Sequence, residues 1–189
     1  MRQWRMLHVA MLLAAAHSAG GRAAEDFSVE AERRGERVDV RAQAAVAAPV
    51  DVVWGVITDY ERLPRFIPGV AKSVVRSRGG NRLVLEQSGE ARFFIFSFPI
   101  EVTLEVAERP RESVSSRAVA GNVKSMSGRY EIHPDQARGM VWLCYFGAIE
   151  PDFYLPPLVG MAALRGTIEE QFAAMVAEIE RRAAGGAGK

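Results

Sequence analysis

Cysteine, histidine and long apolar runs are scarce in this chain of 189 residues, and each scarcity closes off a class of function. The one cysteine, Cys144, has no partner for an intramolecular disulfide, so packing has to hold the fold together. Of the three histidines, His8 and His17 lie in an N-terminal stretch expected to be removed. His133 stays with the body of the chain, before Pro134-Asp135, and reads as an exposed hairpin residue. Metal sites draw on several His or Cys ligands at recognisable spacing, and no such set occurs. A Ser-His-Asp triad would have to be built on His133, and there is no GxSxG elbow. No metal and no cofactor are expected, and no residue stands out as catalytic.

Charge of one sign is lacking too. The apolar run Met6–Ala16 is about half the roughly 20 residues a membrane-spanning helix needs. Arg2 and Arg5 precede it and the small residues of Ser18–Ala24 follow, which is the anatomy of a cleavable secretory signal peptide. Cleavage after Ala23 suits the small-residue rule, with Ala16, Ala19 and Ala24 as alternatives. Residues 1–23 are therefore expected to be a signal peptide, 24–184 one domain and 185–189 a flexible tail, in a periplasmic or secreted protein. The whole chain has 24 basic and 23 acidic residues; removing Arg2, Arg5 and Arg22 leaves 21 against 23, a net charge of −2. That balance excludes the clustered positive charge of a nucleic-acid surface.

The densest signals lie in Ala48–Val70. Pro49 suits the first turn of a helix and Asp51 its positive end, while Val53, Trp54 and Ile57 share one face. Thr58 and Glu61 fit a capping box, so the pattern predicts a second short helix from Thr58. Pro64 and Pro68-Gly69 close the unit around Phe66 and Ile67.

The rest alternates. Phe27–Arg34 and Arg37–Ala47 read as strands across Gly35, and six more strand-like runs follow between Ala71 and Ile149, separated by turn signals. Ile100, Val102, Leu104 and Val106 share one face of a strand, as do Met126, Tyr130 and Ile132. Between Met140 and Ile149 both parities are apolar, so both faces of that strand are expected to be covered. In Ala91–Pro99 the phenylalanines either extend the preceding strand or form an aromatic hairpin end, with Pro99 favouring a break. From Pro157 a helix of about 39 Å is predicted, at 1.5 Å per residue. Its stripe is Met161, Leu164, Ile168, Phe172, Met175 and Ile179, with Glu178 assigned to the solvent side. An exposed inner sheet face needs this stripe more than a coiled coil does, so a monomer is expected.

Ala48-Pro49 leading to Val53-Trp54, then Thr58-Asp59-Tyr60 and Phe66-Ile67-Pro68-Gly69, resemble a known pattern, as do Gly121-Asn122, Met126–Tyr130 and Pro156-Pro157. The chain is similar to the START-like, or SRPBCC, superfamily, and within it to the polyketide cyclase/dehydrase and coenzyme Q-binding branch. The resemblance implies an α+β helix-grip fold. A curved antiparallel sheet of about seven strands would surround a long C-terminal helix, with two short helices after the first strand. It also implies a cavity for a hydrophobic ligand such as a lipid, quinone or polyketide-like molecule.

The candidate lining is Phe66, Phe94, Phe96, Val102, Leu104, Met126 and Tyr130, with Leu158, Met161, Leu164 and Ile168 from the helix. Two proline-bounded loops, with Phe66 in one and Phe153 and Tyr154 in the other, could guard an entrance and touch a membrane transiently. Three functions follow: a non-catalytic carrier, a cyclase or dehydratase using Asp59, Glu86, Tyr130 or Tyr145 as acid or base, or a partner-binding module at a membrane complex. Asp59 belongs better to the helix junction, and Glu86 has outer-face parity.

Overall fold

The computed structural model describes residues 25–93, 96–152 and 159–186. The expected signal peptide and most of the tail lie outside them. Strands β1 (Glu25–Arg34) and β2 (Arg37–Val46) form a hairpin. Its turn needs Gly35, whose φ of +66° is costly for any residue with a Cβ. Helix α1 (Val50–Ile57) follows, with Pro49 at its N-cap and Asp51 in its first turn, where the Arg111 guanidinium also meets the carboxylate.

The second helical piece is shorter and tighter than the capping box predicts. It is a 3-10 helix, Tyr60–Arg65, with no side-chain cap at Asp59. Thr58 turns the other way: its Oγ1 donates to the Trp54 carbonyl at 2.7 Å. The same carbonyl also accepts from the Thr58 N–H at 3.1 Å, so both donors of Thr58 turn back onto α1 and close it instead of opening its successor.

Six strands then run as a meander: β3 (Val70–Gly79), β4 (Arg82–Phe93), β5 (Phe96–Arg109), β6 (Ser113–Gly121), β7 (Val123–Asp135) and β8 (Met140–Pro151). The β1–β2 hairpin joins through β2 to β8, which gives the order β1-β2-β8-β7-β6-β5-β4-β3. The antiparallel helix-grip sheet is thus present with eight strands, and the helical pair follows β2 and crosses to the edge strand β3.

Pro99 does not break β5. It pairs with Glu90 on β4, while β6 reaches β5 only from Val102 onward, so the proline occupies an edge where no ladder bond is asked of it. Asn122 completes that edge. Its Oδ1 accepts from the Glu101 N–H at 2.9 Å and its Nδ2 donates to the Pro99 carbonyl at 2.7 Å.

The inner face carries the core. Leu83 and Leu85 on β4, Val102, Leu104 and Val106 on β5, Ile132 on β7 and Val141 and Leu143 on β8 are all buried. Helix α2 (Val159–Gly186) lies against them and against α1 through Phe172, Met175, Val176 and Ile179. Each such side chain contributes about 1.5–3 kcal/mol on burial.

The outer face of β8 is not covered as expected, since Phe146 is 43% exposed. The apolar parity of Trp142, Cys144 and Phe146 reflects a sheet surface with one aromatic open to solvent. His133 is exposed, but it lies within β7 beside Glu131 and not in the turn.

Candidate functional site

Between the sheet and α2 the structure leaves a space in two lobes, of about 230 and 160 Å³. The first lies beside the N-terminal half of α2, against Ile100, Val102, Ile149, Leu164 and Ile168. The second lies beside the 3-10 helix, against Tyr60, Ile67, Leu104, Val114 and Met175. Val70, Gln87, Met126, Tyr145 and Gln171 line both lobes, so these side chains form the waist between them. Concave, mostly apolar walls with a few polar groups are the usual make-up of a small-molecule site.

The aromatic wall is set by strand register. Tyr130 and Tyr145 are direct partners on β7 and β8, and their rings meet at 4.8 Å between centroids and 42° between planes. Two residues on, Gly128 faces Gly147. A Cβ at Gly147 would stand 2.6 Å from the Tyr145 hydroxyl, and one at Gly128 would stand 3.1 Å from it. The missing side chains therefore let the Tyr145 ring lie across the sheet toward its neighbours. Burial pushes both phenols up, with repulsion from Tyr145 adding to the shift at Tyr130. At neutral pH both are uncharged hydroxyls that donate and accept hydrogen bonds and cannot act as resting bases.

Carboxylates gather around this space and not within it. Glu90, exposed, is the one carboxylate among the described residues lining the two lobes. Asp59 is occupied at the helix junction, where Arg182 Nη2 donates to it at 2.8 Å. The same guanidinium stands 5.6 Å from the centre of the Phe66 ring and donates through Nε to Glu178 at 2.6 Å. Glu86 pairs with Arg76 on the outer face. Among the described residues, no group of three or more His, Cys, Asp or Glu side chains is placed to hold a metal ion, and no helix is long and apolar enough to cross a membrane.

Helical spacing predicts a solvent-facing Glu178, yet it is buried. Both arginines that follow it fold back onto its carboxylate. Hydrogen bonds from Arg181, and then from Arg182, outweigh burial and hold its carboxyl down at about 2. A depressed carboxyl stabilises the fold above its unfolded value near 4.5, and that contribution is lost as pH falls through about 2. Glu178→Gln is expected to lower stability at neutral pH by about 1–3 kcal/mol and to flatten the acid limb. Denaturant unfolding across that range measures both effects, and an unchanged acid slope would contradict the assignment.

Six predicted site residues line the cavity: Val102, Leu164 and Ile168 in the first lobe, Leu104 and Tyr130 in the second, and Met126 in both. Met161 packs instead with Leu164 and Ile168 against Val38 and Val40. Phe66 lies outside both linings, beneath Arg182, while its neighbour Ile67 lines the second lobe. Phe94, Phe153, Tyr154 and Leu158 lie outside the described residues, and Phe96 is placed by its backbone alone, paired with Phe93. Sequence reasoning missed Gln87 and Gln171, although both fall on apolar periods. Gln87 continues Leu83 and Leu85 along β4, and Gln171 sits between Ile168 and Met175 on α2.

Solved structures share this architecture. The STAR-related lipid transfer protein from Xanthomonas axonopodis superposes with a TM-score of 0.64 at 15% identity, covering 82% of this chain and 94% of that one. The Zhui aromatase/cyclase from Streptomyces sp. R1128 gives 0.63 at 18% identity, covering 78% and 94%. A START superfamily protein from Mycobacterium smegmatis gives 0.59 at 16% identity, covering 78% and 97%. Identities this low show a common fold alone. No curated protein matches the chain. Residues 46–176, from the end of β2 to the buried middle of α2, match the family described as polyketide cyclase/dehydrase and lipid transport, and the chain belongs to that family.

Proposed function

We propose that this chain is a non-catalytic carrier or sensor that holds a hydrophobic small molecule, of lipid, quinone or polyketide-like class, between sheet and helix. The observation that carries the reading is the two-lobed apolar cavity, whose described ionisable lining is neutral tyrosines and one exposed carboxylate. Acid–base catalysis needs a group whose protonation state changes near working pH, and burial moves the three cavity tyrosines, Tyr60, Tyr130 and Tyr145, away from it. In this reading residues 1–23 direct export, 24–184 form the binding domain, and the protein works as a monomer in the periplasm or outside the cell. The loops carrying Phe66, Phe153 and Tyr154 touch a membrane as cargo is exchanged.

A cyclase or dehydratase is the second reading, favoured by the fold shared with an aromatase/cyclase. Mass spectrometry of lipophilic molecules extracted from protein purified from the periplasm separates the two. The carrier should bring down a stoichiometric apolar molecule unchanged. Protein that is clean and cannot be loaded with lipids or quinones would refute it, and turnover of a loaded polyketide-like molecule would favour the enzyme.

A further inference from the structure

Hydrogen bonds at the waist do not close. Gln171 Nε2 donates to the Pro68 carbonyl at 3.0 Å. A carbonyl only accepts, so this bond fixes the amide orientation and leaves Oε1 as a spare acceptor. Gln87 spends one end of its amide on the Ser73 hydroxyl, at 3.1 Å, and its other end has no partner among the described residues. Neither the Tyr130 nor the Tyr145 hydroxyl bonds to a described residue. Yet no fully buried side-chain nitrogen or oxygen among the described residues lacks a partner. The unmet atoms are therefore accessible, and all four side chains line the cavity.

We propose that Gln87, Tyr130, Tyr145 and Gln171 form a polar collar selecting ligands that carry a hydroxyl or carbonyl midway along an otherwise apolar skeleton. The proposal rests on the binding function above and narrows its ligand class. A ligand hydroxyl can donate to a glutamine oxygen and accept from a tyrosine; a ligand carbonyl can accept from a tyrosine. Apolar arms on either side fit Ile100, Val102 and Ile168 in one lobe, and Leu85, Leu104 and Val106 in the other. A plain hydrocarbon crossing the waist would strip water from these groups and return nothing. A carboxylate or phosphate there would lack a counter-charge, because no Lys or Arg is among the described lining residues.

The test uses four probes of equal chain length: diheptyl carbinol, diheptyl ketone, the isomeric straight-chain primary alcohol and the alkane. Each competes against a bound environment-sensitive fluorophore on delipidated protein. The carbinol and ketone should bind about fivefold to tenfold more tightly than the primary alcohol and the alkane. Tyr145→Phe, which keeps the ring packing, and Gln171→Leu should each reduce that preference. Equal binding of all four, or a preference that survives in both variants, overturns the collar and leaves the cavity reading standing. Failure of every probe to bind overturns both.

Discussion

Met126→Trp is expected to cut uptake of a lipophilic probe at least tenfold while the protein still folds. Met126 lines both lobes, so a larger, stiffer side chain there blocks the waist and shortens whatever fits on either side. Overpacking usually costs about 1–3 kcal/mol, and open space beside the residue should keep the cost near the lower end. A thermal midpoint within a few degrees of the parent, with probe binding lost, is the predicted pair of results. Phe146→Trp is the control: it changes an aromatic on the outer face of β8 and should leave binding intact. Parental affinity in Met126→Trp would place the ligand elsewhere.

Gly89→Ala should give a large loss of stability, about 3 kcal/mol or more. A Cβ at this position would lie 2.0 Å from the Gly69 carbonyl oxygen and 3.2 Å from Val70 Cα, all backbone. Gly69 cannot step aside cheaply. Its φ is +78°, and its carbonyl accepts from the Glu90 N–H at 2.9 Å. The preceding carbonyl, that of Pro68, takes the bond from Gln171. One methyl group therefore pushes apart the turn, β4 and α2 where they frame the first lobe. Gly79→Ala, with nothing within 4 Å, should be nearly neutral. Thermal unfolding of the two variants decides: for a domain of this size the first should melt about 6–12 °C lower, and equal midpoints would contradict the account.

Much of this frame is legible in the sequence, because burial repeats with the period of the backbone. Ile100 to Val106 alternates and fixes the inner face of β5, and the stripe from Ile168 to Ile179 fixes the inner face of α2. Signals whose meaning depends on which partner the side chain or strand finds are misread from pattern alone. Thr58 and Glu61 satisfy a capping pattern, but the Thr58 hydroxyl bonds back to the Trp54 carbonyl, which also takes the Thr58 N–H. Pro99 reads as a strand breaker until β6 is seen to stop short of it. Glu178 looks solvent-facing until Arg181 and Arg182 wrap it and Asp59 anchors the group.

The site was legible in its apolar half. Met126, Val102 and Ile168 follow from parity and spacing. Its polar half was hidden by the habit of reading a glutamine as surface, although Gln87 and Gln171 keep the periods of their apolar neighbours. Nothing local could reveal that Gly128 would face Gly147, since that register is set by the whole β7–β8 hairpin, and it is what lets Tyr145 lie over the sheet.

Methionine methyls report directly on a ligand held between the sheet and α2. Met126 lines both lobes and Met175 the second, whereas Met140 begins β8 outside either lining. In deuterated protein with protonated, isotope-labelled methionine methyls and saturated with diheptyl carbinol, nuclear Overhauser contacts should run from the probe to Met126 and Met175 and none to Met140. Contacts to Met140 with none to Met126 would contradict the account.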